Sequence, residues 1–215
     1  MDGVLVDTRE FHFDSWNTAL AAYGEAMPRD FFEATFARRS KEILQKLLQA
    51  RYSESFAEEI LERKGKRFRA ISHGKLAFMT GVTPLLHAFQ ARHIPQVIAS
   101  SAAKKDLDYL LDEVQGHTYF DHIVSAATMQ GKPAPDVFQE AARVLGVEPH
   151  RCLVIEDMND GAQAAHAASM LCIAVQTSQT VAELPAADWV INRLSDVDAD
   201  RILDWAEQQP TRKVL

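Results

Sequence analysis

Polar side chains that could perform chemistry follow or adjoin short apolar runs at four places in the 215-residue chain. They are Asp2 in Met1-Asp2-Gly3-Val4-Leu5, Ser100 and Ser101 after Val97-Ile98-Ala99, Lys132 in Gly131-Lys132-Pro133, and Glu156 and Asp157 after Leu153-Val154-Ile155. Taken singly, each has a structural interpretation, because a Ser after a strand is usually a turn residue or helix cap and Gly-Lys-Pro is usually a loop. A carboxylate, a hydroxyl, a lysine and a carboxylate pair, each near the end of an apolar run, carry more weight in combination than any one of them alone.

The acidic pair Glu156-Asp157 is the strongest of these signals. Two adjacent carboxylates at a strand end repel each other unless a cation or hydrogen-bond donors compensate. A cation held by the two carboxylates would supply that compensation. The alternative is that the pair caps a helix that begins near Gly161, and the residues alone leave both interpretations open.

From about Val82 onward, short apolar runs alternate with amphipathic stretches. The runs are Gln96 to Ala99, His122 to Val124, Cys152 to Ile155, Leu171 to Val175 and Trp189 to Ile191. Strands of four or five residues that alternate with helices predict βαβ units around a parallel sheet, and hence a doubly wound, Rossmann-like α/β core. Ligands of such sheets bind at the carboxyl ends of the strands, so polar residues just after apolar runs are the first candidates.

The stretch from about Thr8 to Phe78 has a different pattern. Its aromatic and aliphatic residues recur at three-to-four spacing, with no convincing β run, which predicts an all-helical insert. We therefore expect a core domain of residues 1–8 and 78–215, with a helical cap domain of residues 9–77 inserted after the first strand.

Composition limits the classes of partner. The chain is 47% hydrophobic with a net charge of -7, and it has no strongly basic segment, which argues against nucleic acid as a partner. No apolar run approaches the roughly 18 residues of a membrane helix. The acidic amino terminus does not resemble a secretory signal, so we expect a cytoplasmic protein that binds a small molecule and exists as a monomer or weak dimer.

The combination of motifs resembles the haloacid dehalogenase superfamily of phosphotransferases, in the branch of β-phosphoglucomutase and the sugar phosphatases. The matching segments are Met1 to Thr8, Gly81-Val82, Ile98 to Ser101, Gly131 to Phe138 and Val154 to Asp157. The resemblance covers essentially the whole chain. It implies that an Asp attacks phosphorus to form an aspartyl phosphate, with Mg²⁺ as cofactor.

The resemblance also implies a role for each core residue. Asp2 matches the acid/base position, and its backbone carbonyl would be a metal ligand together with Glu156 and Asp157. Ser100, with its neighbour Ser101, would bind a phosphoryl oxygen. Lys132 would contact both that oxygen and the nucleophile as a compact point charge.

One departure concerns the nucleophile itself. The family motif reads Asp-x-Asp, and here Met1 occupies its middle position, so the attacking Asp would lie just before residue 1. Either Met1 is an internal methionine, or the chain begins here and is catalytically impaired. The first interpretation is favoured, because a sheet that lacks most of its central strand exposes both neighbouring strands as edges.

The insert carries further candidates for substrate binding. His12 lies where the β-phosphoglucomutase group carries a residue that helps govern proton transfer, although many helix histidines merely pack. Ser40 matches a Ser with which the β-phosphoglucomutase group binds the second phosphate of its substrate. Arg38, however, stands where that group has a Gly, and Lys41 stands where it has an Arg. Lys lacks the bidentate fork of Arg. Lys64 is a weaker candidate.

These observations predict Mg²⁺-dependent hydrolysis of a small phosphate monoester, such as a sugar phosphate. A phosphohexomutase is the first alternative, and it would require a cap that binds a second phosphate and excludes water. A non-catalytic phosphate-binding protein is the second alternative, because the nucleophilic Asp would lie before residue 1. A dehalogenase fits less well, since it does not need the metal-site pattern of Asp2, Glu156 and Asp157.

Overall fold

Helices fill the chain between Thr8 and Leu76 in the computed structural model, which describes residues 1–36 and 38–209. They are α1 (Arg9–Ala21), α2 (Arg29–Thr35), α3 (Ser40–Leu48) and α4 (Glu54–Ser72). The chain divides into two compact units, one of Thr8–Leu76 and the other of Met1–Asp7 with the chain from Ala77 onward. The all-helical character predicted for the insert is confirmed.

The helical unit has its own apolar core. Ser53 caps α4 by accepting a hydrogen bond from the Phe56 backbone N at 3.3 Å, which satisfies one of the free N–H groups of the first turn. Large side chains from all four helices are buried together, among them Trp16, Leu20, Phe32, Leu44 and Ile60. Short helices are marginally stable alone, so the burial of these apolar side chains against one another is what stabilises the four helices.

Short parallel strands form the centre of the other unit. Strands β1 (Val97–Ser100) and β2 (His122–Ser125) pair with each other, and β3 (Leu153–Glu156), β4 (Leu171–Val175) and β5 (Trp189–Ile191) pair in that order. Every pairing is parallel, with Ser100 opposite Ser125 and Glu156 opposite Ala174. The five strands and the fold class predicted from the sequence are confirmed.

Helices pack on both sheets of this unit. They are α5 (Val82–Ala91), α6 (Lys104–Glu113), α7 (Asp136–Leu145), α8 (Asn159–Ala167) and α9 (Ala199–Glu207). Successive strand residues point to opposite faces, so Cys172 is buried with residues of α7 and α8 while Ile173 is buried with residues of α5 and α9. The unit is thus doubly wound, and its loops carry the polar groups at the strand ends.

The amino-terminal segment before the insert, predicted from the sequence to be what remains of a first strand, is not a strand, so that expectation is wrong. Gly3 has φ +69, in the left-handed region that a residue without Cβ adopts readily. The backbone N of Leu5 donates to the Met1 carbonyl at 2.8 Å, which closes a turn. The segment makes only isolated bridges, one of which joins Val6 to Phe78.

This turn lies between the two sheets. Val4 is buried in the cluster that contains Ile173, and Leu5 packs against that cluster as well as the cluster around Ile98 of β1. Within residues 1–36 and 38–209, β1 pairs only with β2 and β3 only with β4. The inner edges of the two sheets therefore adjoin an apolar turn rather than a strand.

No helix within the described ranges is long and apolar enough to cross a membrane.

Candidate active site

Lys132 and Glu156 form a buried ion pair at the carboxyl edge of the strands. Glu156 is the last residue of β3, and Lys132 lies in the loop that follows β2. Lys132 Nζ donates to Glu156 Oε1, and the two side chains are only 9% and 10% exposed. Lys132 Nζ also lies 4.8 Å from the ring centroid of Phe138. Loss of one partner of such a pair would leave the other charge buried and uncompensated.

Gly161 makes room for the Glu156 carboxylate. A Cβ on Gly161 would overlap Oε2 and Cδ of Glu156, so the first turn of α8 can approach the carboxylate only with a glycine there. Glu156 Oε2 also accepts a hydrogen bond from the Asp157 backbone N at 3.3 Å. The carboxylate is therefore enclosed by Lys132 on one oxygen and by backbone on the other.

Asp157, directly after β3, is only 5% exposed. Burial, followed by the negative charge of Glu156, raises the pKa of Asp157 to about 6, although a hydrogen bond from Ser178, the charge of the amino terminus and Lys132 oppose the shift. Folding thus favours the protonated carboxyl. The stability that this group contributes is present below the unfolded pKa near 3.8 and is lost as pH rises through about 6. At neutral pH the folded chain holds an unfavourable buried charge.

Backbone of the amino-terminal turn closely approaches Asp157. A Cβ on Gly3 would overlap Asp157 Oδ2 and would lie 3.0 Å from Ser178 Oγ. Ser178 Oγ donates to Asp157 Oδ2, and Thr177 Oγ1 donates to the Gly3 carbonyl. Asp2, half-buried, is thus one residue from a backbone segment that touches the Asp157 carboxylate.

The two serines occupy the end of β1. Ser100 is buried, pairs in register with Ser125 of β2, and its Oγ accepts a hydrogen bond from the Ala102 backbone N at 3.2 Å. Ser101 follows it and is half-buried. Because β1 and β2 are parallel, Ser100 and the loop that carries Lys132 lie at the same edge of their sheet. Ser100 therefore has the structural role expected of a Ser at a strand end, because its hydroxyl accepts a hydrogen bond from the backbone of the turn that follows.

The four candidates of the insert lie in the helical unit. His12 stacks on Phe68 with ring centroids 4.4 Å apart, and Lys64 Nζ lies 4.8 Å from the centroid of Trp16. Ser40 is the first residue of α3. Lys41 Nζ contacts Glu54 Oε2 at 2.5 Å and Glu58 Oε1 at 3.7 Å. The hydrogen bond to Glu54, followed by the charges of the glutamates, raises the pKa of exposed Lys41, so its charge is already matched by carboxylates.

The donor set at β3 is compatible with Mg²⁺. Within the described ranges, no three His, Cys, Asp or Glu side chains form a group that could hold a metal ion. Mg²⁺ is usually held by one or two carboxylates, with water and substrate phosphate as the other ligands, so it does not need such a cage. Glu156 and Asp157 supply two buried carboxylates, of which Glu156 is paired with Lys132.

Sequence reasoning missed the loop after β4. Thr177 and Ser178 contact the amino-terminal turn and Asp157, yet neither belongs to a motif that the sequence brings to notice. Their signal was available, because Gln176-Thr177-Ser178 follows the apolar run of β4 and polar residues after strands are candidates.

A cavity of about 330 Å³ at this strand edge is lined by Val4, Met79, Thr80, Val175, Gln176, Thr177, Asn192, Arg193 and Leu194.

Gly161→Ala tests the enclosure of Glu156. Ala normally stabilises a helix interior by about 1 kcal/mol relative to Gly, but here the added methyl would displace the Glu156 carboxylate from Lys132. We expect a lower melting temperature. The matched control is Gly65→Ala in α4, where the nearest atom to the added Cβ is Arg69 Nη1 at 3.4 Å, and where we expect no loss of stability. Equal melting temperatures for the two variants would contradict this account of Gly161.

Comparisons with known proteins identify the family to which the chain is similar. The profile of the haloacid dehalogenase-like hydrolases matches residues 1–175. The β-phosphoglucomutase of Bacillus subtilis is 28% identical over 100% of this chain and 96% of its own length. The chloroplastic 5-amino-6-(5-phospho-D-ribitylamino)uracil phosphatase of Arabidopsis thaliana is 25% identical over 94% of this chain, which spans 56% of that enzyme.

A solved structure gives the same result for the fold. The crystal structure of β-phosphoglucomutase from Clostridium difficile matches with a TM-score of 0.87, covers 96% of this chain and 94% of its own, and is 23% identical. The profile match extends over most of the chain, from the amino-terminal turn through the acidic pair to the end of β4. The chain therefore belongs to the haloacid dehalogenase-like hydrolase family.

Proposed function

We propose that this chain is a Mg²⁺-dependent phosphatase that hydrolyses a small phosphate monoester of the sugar-phosphate class. The observation that carries the proposal is the buried pair Glu156-Asp157 beside Lys132 at the carboxyl edge of the strands. The names of the relatives support the substrate class, since one is a phosphatase of a phosphorylated ribityl compound and the other a phosphoglucomutase. At the level of the family, phosphatase and mutase are both represented.

The proposed metal ligands are the carboxylates of Glu156 and Asp157 and the backbone carbonyl of Asp2. Bound there, Mg²⁺ would neutralise charge on the phosphate and act as a Lewis acid. The protein's own contribution is to hold the carboxylates in place: Lys132 and the first turn of α8 fix Glu156, while Ser178 and the Gly3 backbone fix Asp157.

The phosphoryl group would be bound by Ser100, Ser101 and Lys132. A hydroxyl donates one hydrogen bond to a phosphoryl oxygen, and an ammonium group supplies up to three charged donors. Lys132 is held near the site by Glu156 on one side and the Phe138 ring on the other. Its charge is therefore positioned before substrate arrives, which is the condition for electrostatic stabilisation of a transition state.

We further propose that an Asp directly before Met1 supplies the attacking carboxylate. The amino-terminal turn reaches the acidic pair through Gly3, where an added Cβ would overlap Asp157 Oδ2, and this close approach supports placing the residue before Met1 near the site. Attack forms a carboxylate O–P bond and breaks the ester O–P bond, and Asp2 gives its proton to the leaving oxygen. Asp2 then takes a proton from water, which attacks phosphorus and releases phosphate and the free carboxylate.

The sequence predicts a helical cap domain of residues 9–77. In this proposal, that domain selects the substrate. We propose His12, Ser40, Lys41 and Lys64 as the side chains that contact parts of the substrate remote from phosphorus. Lys41 is paired with Glu54 and Glu58, which makes it a poor anchor for a second phosphate. This pairing favours the hydrolase over the mutase.

A mutase with the same core is the second candidate, because the Bacillus subtilis relative covers the whole chain. Product analysis separates the two. Free phosphate indicates the hydrolase, and an isomeric sugar phosphate without release of phosphate indicates the mutase.

Asp157→Asn tests the metal site. The substitution removes a ligand charge, so we expect Mg²⁺ affinity measured by calorimetry to fall sharply. The matched control is Asp200→Asn, which makes the same change at an exposed carboxylate paired with Arg92. Mg²⁺ affinity that is unchanged in Asp157→Asn and equal to that of the control would refute the assignment.

An amino-terminal extension tests the phosphatase itself. We expect little or no Mg²⁺-dependent phosphate release from a generic aryl phosphate by the 215-residue chain, and turnover once an apolar strand ending in Asp is joined directly before Met1. The control carries the same extension with Asn in place of that Asp, and it should stay inactive. Equal and substantial activity in all three chains would require this mechanism to be abandoned.

Lys132→Ala in the extended, active form tests the role of the ammonium group. If Lys132 stabilises charge that develops on the phosphoryl group, kcat should fall by a factor of about 100 or more. Lys104→Ala is the control, since Lys104 is an exposed residue of α6 that pairs with Asp108. A loss below roughly tenfold with folding intact would return Lys132 to a structural role in its loop.

A further inference from the structure

Three consecutive side chains of the loop after β4 each hold a different part of the candidate site. Thr177 Oγ1 donates to the carbonyl of Gly3 in the amino-terminal turn, and Ser178 Oγ donates to Asp157 Oδ2 after β3. Gln179 Oε1 accepts a hydrogen bond from the Asn159 backbone N, the first residue of α8, at 2.7 Å. One short segment thus joins two parts of the chain that are remote from it in sequence, the amino-terminal turn and the stretch from Asp157 to Asn159.

The loop is itself fixed at its far end. Asn159 Oδ1 accepts a hydrogen bond from the Ala186 backbone N at 3.1 Å, and Thr180 and Glu183 hydrogen-bond each other in a capping box. Leu184 is almost fully buried in the same stretch. Ser178 is therefore presented to Asp157 from an anchored backbone rather than from a free loop.

The contact of Ser178 acts on the orientation of one carboxylate. A hydroxyl that donates to Oδ2 restricts rotation of the carboxylate about its Cβ–Cγ bond and leaves Oδ1 without that donor. Backbone of Gly3 closes the same side, because a side chain on Gly3 would overlap Oδ2. Outer hydrogen-bond partners of metal-binding carboxylates of this kind are worth about 10- to 100-fold in metal affinity.

We propose that Ser178 is a positioning residue that sets the Asp157 carboxylate for binding a divalent cation, with Thr177 and Gln179 fixing the loop that presents it. The inference rests on the proposed Mg²⁺ site. It adds a residue from a strand end that the metal-site pattern of the sequence does not include. Ser178 touches neither substrate nor reacting atoms in this proposal and acts only through Asp157.

Mg²⁺ titration of four forms of the 215-residue chain tests the proposal: unmodified, Ser178→Ala, Ser178→Thr and Ser195→Ala. Ser195 Oγ lies 3.5 Å from Asp196 Oδ1 on the surface, so Ser195→Ala removes a serine hydroxyl beside an aspartate away from the site. Calorimetry gives the dissociation constant, and thermal unfolding without Mg²⁺ shows whether each variant is folded.

We expect Ser178→Ala to weaken Mg²⁺ binding by about 10-fold or more, while Ser178→Thr, which keeps the hydroxyl, and Ser195→Ala bind like the unmodified chain. A purely structural role for Ser178 would lower the melting temperature of Ser178→Ala and leave its Mg²⁺ affinity unchanged. That result would overturn the inference and leave the proposed function standing. Absence of Mg²⁺ binding by the unmodified chain would overturn both.

Discussion

Two adjacent carboxylates buried at the end of β3 are the constraint on which the rest of the site depends. Burying Glu156 and Asp157 together is unfavourable, as the pKa of Asp157 near 6 shows. The surrounding groups are those that reduce this cost: Lys132 pairs with one carboxylate, Ser178 donates to the other, and Gly161 admits the helix backbone. Such an arrangement is costly for an apolar core but well suited to binding a cation and an anionic substrate together.

The directions of the strands determine at which strand ends these polar groups lie. Because every strand pair is parallel, the residues that follow β1, β2, β3 and β4 emerge at carboxyl ends, where Ser100, Lys132, Asp157 and Ser178 lie. The amino-terminal turn lies between the inner edges of β1 and β3, in contact with the apolar clusters on both sides. That location explains how Gly3 reaches Asp157.

The sequence predicted those parts of the fold that depend on local pattern. The apolar runs at β4 and β5 matched the strands to the residue, and the acidic pair was located because it ends such a run. The expectation of a strand in Met1–Val6 was wrong, because the apolar residues there suggest a strand whereas Gly3 adopts a left-handed conformation within a turn. The position of Ser178 after β4 made it a candidate, but its contact with Asp157, 21 residues away, depends on tertiary packing that the local pattern does not show. The ion pairs of Lys41 have the same origin.

Mn²⁺ titration followed by NMR tests most directly whether the β3 carboxylates bind a divalent cation. Mn²⁺ accepts the same oxygen ligands as Mg²⁺ and broadens nearby amide signals. The account predicts that substoichiometric Mn²⁺ broadens the amides of Gly3, Glu156 and Asp157 before those of the exposed acidic surface of α4, near Glu58 and Glu62. Broadening that begins on α4 while the amides of Glu156 and Asp157 stay sharp would contradict it.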